Sequence, residues 1–167
     1  MIDLLKKYAS YNLWANERII NILNSLPEDL LCKELKSSFR SISLTVLHMY
    51  DAETIWLKRL EGISLNKWPS ADFKGSPNEA LQKLEISSLN IKEFVSETDN
   101  GYLYEDCSFS SLDGKPYTMK IYDIIHHVMN HSTFHRGQLV TMLRELDITE
   151  LPSTDYIAYI RTYERQN

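Results

Sequence analysis

Apolar residues recur every three to four positions through four long segments of this 167-residue chain. These segments cover residues 2–26 and 39–60, a third stretch from Ser76 through Val95, and Ile121–Leu146. An α-helix turns once in about 3.6 residues, so this spacing gives each segment one apolar face. Helices of this kind bury their apolar faces against one another. The sequence therefore predicts an all-α fold, an up-down four-helix bundle.

Turn-forming residues separate the predicted helices. The stretch LPED ends the first helix, and Gly62 marks the end of the second. Residues 66–77 are rich in turn formers and predict a loop, with Ser76 as N-cap and Pro77 in the first turn of the third helix.

Two smaller elements complete the predicted fold. Short alternating aromatic and polar residues between Tyr102 and Lys120 surround an Asp113-Gly114 pair, which favours a small β-hairpin before the fourth long helix. A short C-terminal helix is predicted after a cap near Ser153 or Thr154.

Length and composition limit the classes of function. A chain of this size fits one domain, and we expect residues 1–167 to form it. The formal net charge is −5 and the basic residues are scattered, which argues against nucleic-acid binding. No apolar run approaches the roughly 18 residues of a membrane span, so we expect no membrane partner.

The compartment is predicted from the N-terminus and the cysteines. The first twenty residues lack the apolar core and cleavage site of a secretory signal, which favours a cytoplasmic protein. Cys32 and Cys107 lie far apart with no C-x-x-C spacing, so we interpret them as incidental thiols.

Four of the five histidines lie within residues 126–137, on the predicted fourth helix. Taking 100° per residue and His135 as the zero direction, His135 falls inside the apolar stripe and His131 lies at about −40°, at the edge of the stripe. His127 lies further round at about −80°, and His126 lies at about 180°, on the opposite face. His131 and His135 are therefore predicted to point inward, and His126 to face solvent.

The inward pair has the spacing of a metal site. Residues four apart stand one above the other on a helix, so His131 and His135 can converge on one ion. His48 faces the core on the second helix and is the candidate third ligand. Three imidazoles leave a position free for water or substrate, as in a catalytic site. Because Ser132 follows His131, the H-E-x-x-H pattern of metalloproteases is absent.

Residues near these histidines have less certain roles in the sequence. His127 is a candidate for orienting a ligand through its ring N–H. Asp51 and Glu53 could serve as ligands or bases, but a solvated helix face is the favoured interpretation. Gln138 is predicted to approach the pocket, whereas Arg136 is predicted to form a structural salt bridge or to lie at a dimer surface. Four aromatic residues are expected in the core or lining a pocket: Tyr8, Tyr11, Trp14 and Trp56.

Three stretches resemble the DinB-like family of metal-dependent bacterial proteins: YNLWANERI at 11–19, LHMYDAETIWLKRL at 47–60 and HHVMNHSTFHRGQL at 126–139. The resemblance covers essentially the whole chain, and the last stretch is the most specific. It implies a four-helix bundle, a homodimer, and a divalent ion held by His48, His131 and His135. Some members of the family use low-molecular-weight thiols, whereas many have no known reaction.

The leading functional hypothesis is a metal-dependent transferase that activates a low-molecular-weight thiol as its small-molecule substrate. Metal-assisted hydrolysis is one alternative, with Asp51 as its weak candidate base. A non-catalytic metal-binding stress protein is another. Zinc or nickel is the favoured ion, with iron or manganese as alternatives, because imidazole ligands do not select one metal.

Overall fold

Four long helices and a small antiparallel hairpin make up most of residues 1–164, the part of the chain that the computed structural model describes. The helices are α1 (Ile2–Leu23), α2 (Glu28–Cys32), α3 (Ile42–Leu60), α4 (Pro77–Glu97), α5 (Ile121–Glu145) and α6 (Tyr156–Glu164). A 3-10 turn (Tyr102–Tyr104) precedes strands β1 (Asp106–Ser110) and β2 (Pro116–Lys120). The predicted fold class is confirmed: a four-helix bundle, a hairpin before the last long helix, and a short C-terminal helix.

Local sequence signals start and stop these elements. Ser76 accepts a hydrogen bond from the Glu79 backbone N–H, and the Glu79 carboxylate accepts one from the Ser76 N–H, which forms the capping box of α4. Ser41 caps α3 by accepting a hydrogen bond from the Leu44 backbone N–H, so that helix begins after Ser41 rather than at residue 39. Gly114 has a φ of 81° in the hairpin turn, where it was predicted.

The first predicted helix is shorter in the structure. It ends at Leu23 rather than at residue 26, and Pro27 is the N-cap of the separate short helix α2. The sequence analysis missed α2 because five residues are too few to show a helical period.

The long helices form a ring in which α1 and α3 are diagonal to each other. Each packs against both α4 and α5. The apolar core has two clusters, one toward each end of the bundle. One contains Leu5, Leu57, Val95 and Ile125, and the other contains Leu23, Met49, Leu81 and Leu143.

The same clusters give the direction of each helix. The start of α1 and α5 lies at the end of the bundle where α3 and α4 finish, so the directions run up, down, down, up rather than in the up-down order that the sequence predicted. The loop at residues 61–76 therefore returns along the bundle between the parallel helices α3 and α4. This return carries Trp68 past His48.

Helix α6 covers the outer face of α1. Tyr159 packs against Tyr11 and Trp14, and the Tyr11 hydroxyl donates to the Thr154 carbonyl at 2.8 Å. Tyr11 is buried, and Tyr8, Trp14 and Trp56 are half-buried, so all four predicted aromatic residues pack at the core or its edge. Within residues 1–164, no helix combines the length and apolar character that crossing a membrane requires.

Candidate metal centre

Three histidine side chains from two antiparallel helices meet on one side of the bundle. His48 projects from α3, and His131 and His135 project from successive turns of α5. Nε2 of His131 lies 3.0 Å from Nε2 of His48 and 3.1 Å from Nε2 of His135. The three potential ligand nitrogens all lie within 4.8 Å of one another. The structure thus brings together the three residues singled out in the sequence.

This donor set fits a metal ion better than it fits hydrogen bonding. Nε2 of His131 faces two other ring nitrogens, so a single proton would have to be shared between both neighbours. An ion about 2.0–2.1 Å from each nitrogen would instead separate neighbouring nitrogens by about 2.9–3.4 Å, depending on the bond angle. The two measured separations lie in that range. Three histidines this close could hold a metal ion.

Gln138 fixes the proton on one of these rings. Its Oε1 lies 2.7 Å from Nδ1 of His135. An amide oxygen only accepts, so the hydrogen of the neutral His135 ring is on Nδ1, and Nε2 keeps its lone pair toward the centre. The prediction that Gln138 approaches the pocket is confirmed. A hydrogen bond to the distal nitrogen is the usual support of a metal-binding histidine.

Burial favours the neutral form of all three imidazoles. Burial, together with the neighbouring histidines, lowers the pKa of His131 to about 3. Burial and the proximity of His135 lower the pKa of His48 to about 4, and burial also lowers the pKa of His135. Neutral rings present lone pairs rather than N–H groups, which is the state that a metal requires.

Aromatic side chains surround the histidines. Phe39 stacks on His48 with ring centroids 4.2 Å apart, and Trp68 meets the same ring edge-on at 6.3 Å. Phe134 packs edge-on against His135. The sequence analysis missed Phe39 and Trp68 as site residues: it placed Phe39 at the start of the second helix, which begins only after Ser41, and it placed Trp68 in a loop outside the periodic helices. The one available signal for Trp68 was that a large aromatic residue is unusual in such a turn-rich loop.

Asp51 does not lie on a solvated helix face, as the sequence analysis expected. It is buried on α3, and its carboxylate accepts from the Ser70 backbone N–H at 2.7 Å and from the Ser70 hydroxyl at 2.6 Å. Burial raises the pKa of Asp51, while the Ser70 hydrogen bonds oppose that rise. Asp51 thus anchors the 61–76 loop at Ser70, which lies two residues beyond Trp68.

Glu53 also departs from the solvated face expected for it, because it lies in the centre of the bundle with no exposed surface. Its carboxylate accepts from five side chains: Asn12, Asn16, Ser87, Ser88 and Ser132. Burial raises the pKa of Glu53, and the hydrogen bonds from Ser87, Ser88, Asn12 and Ser132 only partly oppose that rise. Because all five are donors, the structure satisfies an ionised carboxylate. Helical wheels missed this residue because its partners come from three other helices.

Arg136 lies in the same layer rather than at a surface. Its side chain is 2% exposed and donates to the Asn12 and Asn16 amide oxygens at 2.6 and 2.8 Å. Those two asparagines in turn donate to Glu53. The dimer-surface interpretation of Arg136 is therefore wrong, and its link to an acid runs through two amides rather than a direct salt bridge. This polar layer, built from all four long helices, lies between the two apolar clusters.

The remaining clustered histidines stay outside the centre. His126 is exposed, as predicted, and accompanies Tyr8 and Asn130 on the outer face. His127 packs edge-on against Trp56 at 5.1 Å, and its ring lies 5.8 Å from that of His131. Within residues 1–164 it makes no hydrogen bond to the three histidines, and Gln138 occupies the orienting position that was suggested for it. His127 instead lines a cavity of about 550 Å³ that reaches His48 and His131.

Known proteins of similar sequence span nearly the whole chain. Protein DinB of Bacillus subtilis is 29% identical over 167 residues, covering 96% of this chain and 95% of that protein. The uncharacterized protein YizA of the same organism is 23% identical over 154 residues, covering 90% of this chain and 92% of YizA.

Solved structures show the same fold at lower identity. A DinB-like protein from Bacillus cereus superimposes with a TM-score of 0.62 at 19% identity, covering 83% of this chain and 89% of that one. The DinB-like protein YjoA from Bacillus subtilis gives 0.65 at 15% identity, covering 89% and 96%. The family model described as the DinB family matches residues 1–166. With a bundle of the same architecture and a match along the whole sequence, this chain belongs to the DinB family.

Proposed function

We propose that His48, His131 and His135 hold one divalent transition-metal ion. The observation that carries the proposal is the convergence of three imidazole nitrogens within 4.8 Å, with His131 at 3.0 Å from His48 and 3.1 Å from His135, separations that suit a shared ion. Among residues 1–164 no carboxylate or thiol belongs to this cluster, so the donors that the structure describes are all imidazoles. Zinc and nickel suit such a donor set, and iron or manganese are the alternatives.

The function we propose is transfer of a low-molecular-weight thiol to an electrophile. When bound, the ion would supply a Lewis acid that lowers the pKa of a coordinating thiol. The chain's own residues prepare the position for that thiol: Gln138 orients His135, and Phe39 and Trp68 shield the histidines from water. The adjoining cavity of about 550 Å³ gives a small molecule access to His48 and His131.

Metal-assisted hydrolysis has less support from the same geometry. It requires a base beside the ion, and Asp51 was the candidate for that role. Both Asp51 oxygens are engaged by Ser70, and the side chain does not line the cavity. A non-catalytic metal-binding protein shares the three-histidine centre but would show no dependence on a thiol.

We further propose that residues 1–167 act as one domain, in the cytoplasm, as a homodimer. Both cysteines are free thiols, Cys32 exposed and Cys107 buried, which suits a reducing compartment. The homodimer rests on resemblance to the family, and sedimentation equilibrium tests it directly.

A conjugation assay tests the transferase proposal. The metal-loaded protein is incubated at pH 7 with glutathione and 1-chloro-2,4-dinitrobenzene. In this reaction the thiolate sulfur forms a C–S bond to the ring, chloride leaves with its electron pair, and the thiol proton passes to solvent. We expect catalysed product formation that chelation or His131→Ala abolishes and that His126→Ala leaves unchanged.

A panel of low-molecular-weight thiols guards against the choice of one unsuitable substrate. If every thiol in the panel reacts at the same rate with the metal-loaded protein, the chelated protein and His131→Ala, the transferase proposal is wrong. If metal binds tightly but no thiol reacts or shifts the melting temperature, the non-catalytic role replaces it.

A further inference from the structure

Arg59 is a buried cation without an acidic partner. Its side chain lies at the end of α3 and is 8% exposed. Among residues 1–164 no carboxylate pairs with it and no acceptor receives a hydrogen bond from its guanidinium, and its Nε is fully buried with no partner. A guanidinium cannot be neutralised in a protein, so a buried one normally has an anion beside it.

Aromatic rings hold this guanidinium in place. Its central carbon lies 4.3 Å from the Trp56 ring centroid and 4.5 Å from that of Phe109. Stacking of this kind stabilises the charge and orients the planar group, yet leaves its N–H donors at the ring edges unused. Arg59 is therefore prepared to donate to something outside the chain.

The cavity beside the three histidines also reaches Arg59. His48 and His131 line one part of it, and Trp56, Arg59 and the hairpin turn at Ser111–Asp113 line another. His48 and Arg59 are eleven residues apart on one helix, which places their backbones roughly 16 Å apart along the axis. One elongated small molecule can contact both residues.

We propose that Arg59 binds the anionic end of the small molecule whose other end reaches the histidine centre. The group recognised is an oxyanion, either a carboxylate or a phosphate, because a guanidinium fork matches two oxygens. The substrate class is thus an elongated, acidic small molecule, and for the proposed function an acidic low-molecular-weight thiol. That the substrate is a thiol rests on the proposed function, whereas binding of an oxyanion by Arg59 does not.

One nearby charge opposes the anion. Asp113 lines the same cavity, but its carboxylate is paired with Lys115 at 2.7 Å and also accepts from the Ser111 hydroxyl. Neutralising Asp113 should therefore strengthen anion binding, whereas neutralising Arg59 should weaken it. The two substitutions should thus change the affinity for the anion in opposite directions at one site.

Tryptophan fluorescence can report binding, because Trp56 and Trp68 both line the cavity. Inorganic phosphate, glutathione and glutathione diethyl ester are titrated at constant ionic strength. Phosphate and glutathione distinguish the two kinds of oxyanion, and the ester removes the carboxylate charges. We expect saturable binding of at least one of the two anionic probes, and binding of the ester weaker than that of glutathione by at least about tenfold.

Variants then assign the effect to Arg59. Arg59→Gln should weaken binding of the anionic probe by about tenfold or more, and Asp113→Asn should strengthen it about twofold. Lys58→Gln is the matched control, since it removes one charge from the neighbouring position, where Lys58 is paired with Glu61 at the surface. This control should bind as the wild type does.

Three results would overturn the proposal. They are a folded Arg59→Gln protein that binds the probes as tightly as wild type, an ester that binds as tightly as glutathione, and a wild type without saturable binding of either anion. Should Arg59→Gln not fold, Asp113→Asn and the ester carry the test. Repeating the titration with EDTA separates the two proposals, because anion binding at Arg59 persists even where the histidines hold no metal.

Discussion

Gln138 shows how one side chain orients a neighbouring histidine. Three residues beyond His135 on α5, it lies on the same face of the helix and receives the Nδ1–H of that ring. The hydrogen bond fixes both the tautomer and the rotation of the imidazole. His48 has a different support, since Phe39 stacks against its ring face.

Replacing Gln138 should weaken metal binding without unfolding the protein. We expect Gln138→Ala to reduce zinc affinity about 10- to 100-fold, because the His135 ring loses the partner that orients it. Competition with a fluorescent zinc chelator measures the affinity. Gln82→Ala, at an exposed position of α4, is the matched control, and an unchanged affinity for Gln138→Ala would contradict the assigned role.

The lowered histidine pKa values predict how the metal-free protein responds to acid. The folded pKa is about 3 for His131 and about 4 for His48, against about 6.5 in an unfolded chain. Between those values the unfolded chain binds more protons. The free energy of unfolding should therefore fall as pH decreases from about 7 to about 4, and this contribution should level off below the folded values.

Urea titrations across this pH range, with EDTA present, measure the dependence. Comparing variants isolates the histidine contribution from that of buried carboxylates such as Asp51. The slope of the free energy of unfolding against pH should decrease in His131→Asn and remain unchanged in His126→Asn. An identical slope in His131→Asn and wild type would show that this histidine is not held neutral in the folded state.

At the scale of helices, the polar layer around Glu53 and Arg136 explains how two helices present three histidines together. Glu53 follows His48 by five residues on α3, and Ser132 and Arg136 each directly follow a histidine of α5. The Ser132 hydroxyl donates to Glu53 at 3.1 Å, which links the two helices next to the site. If α3 slipped along α5, the buried charges of the layer would lose their partners. The layer therefore fixes the position of His48 relative to His131 and His135.

Removing the Glu53 charge should therefore be costly. We expect Glu53→Gln to lower the free energy of unfolding by about 3 kcal/mol, since it leaves the Arg136 charge buried and replaces an accepting carboxylate oxygen with an amide NH2 donor that faces other donors. Glu61→Gln, at the surface ion pair with Lys58, should cost less than about 1 kcal/mol. Chemical denaturation gives both values, and equal costs would contradict the central role of the layer.

At the scale of the whole molecule, the core does not depend on the metal site. One apolar cluster lies toward each end of the bundle, and the histidines line one side between them. We expect chelation to lower the melting temperature but to leave the helical circular dichroism at 25 °C unchanged. Loss of the helical signal on chelation would show instead that the ion is structural.

Sequence periodicity was enough to predict the bundle and the inward histidines, because the apolar face of each helix can be found from the sequence of that helix alone. The direction of α4 was not predictable in this way, since it depends on the path of the 61–76 loop. Glu53 and Arg136 were misjudged for a related reason: their polar partners lie on other helices, which no single helical wheel contains. Arg59 was missed because its environment is formed jointly by α3 and the hairpin.

Metal content is the most direct test of the three-histidine centre. Protein without an affinity tag is loaded with zinc, dialysed, and analysed by inductively coupled plasma mass spectrometry. We expect about one ion per chain in wild type and in His126→Ala, and almost none in His48→Ala, His131→Ala or His135→Ala. A wild type that retains no zinc, nickel, iron or manganese, or a folded His131→Ala that retains a full equivalent, would contradict the proposed centre.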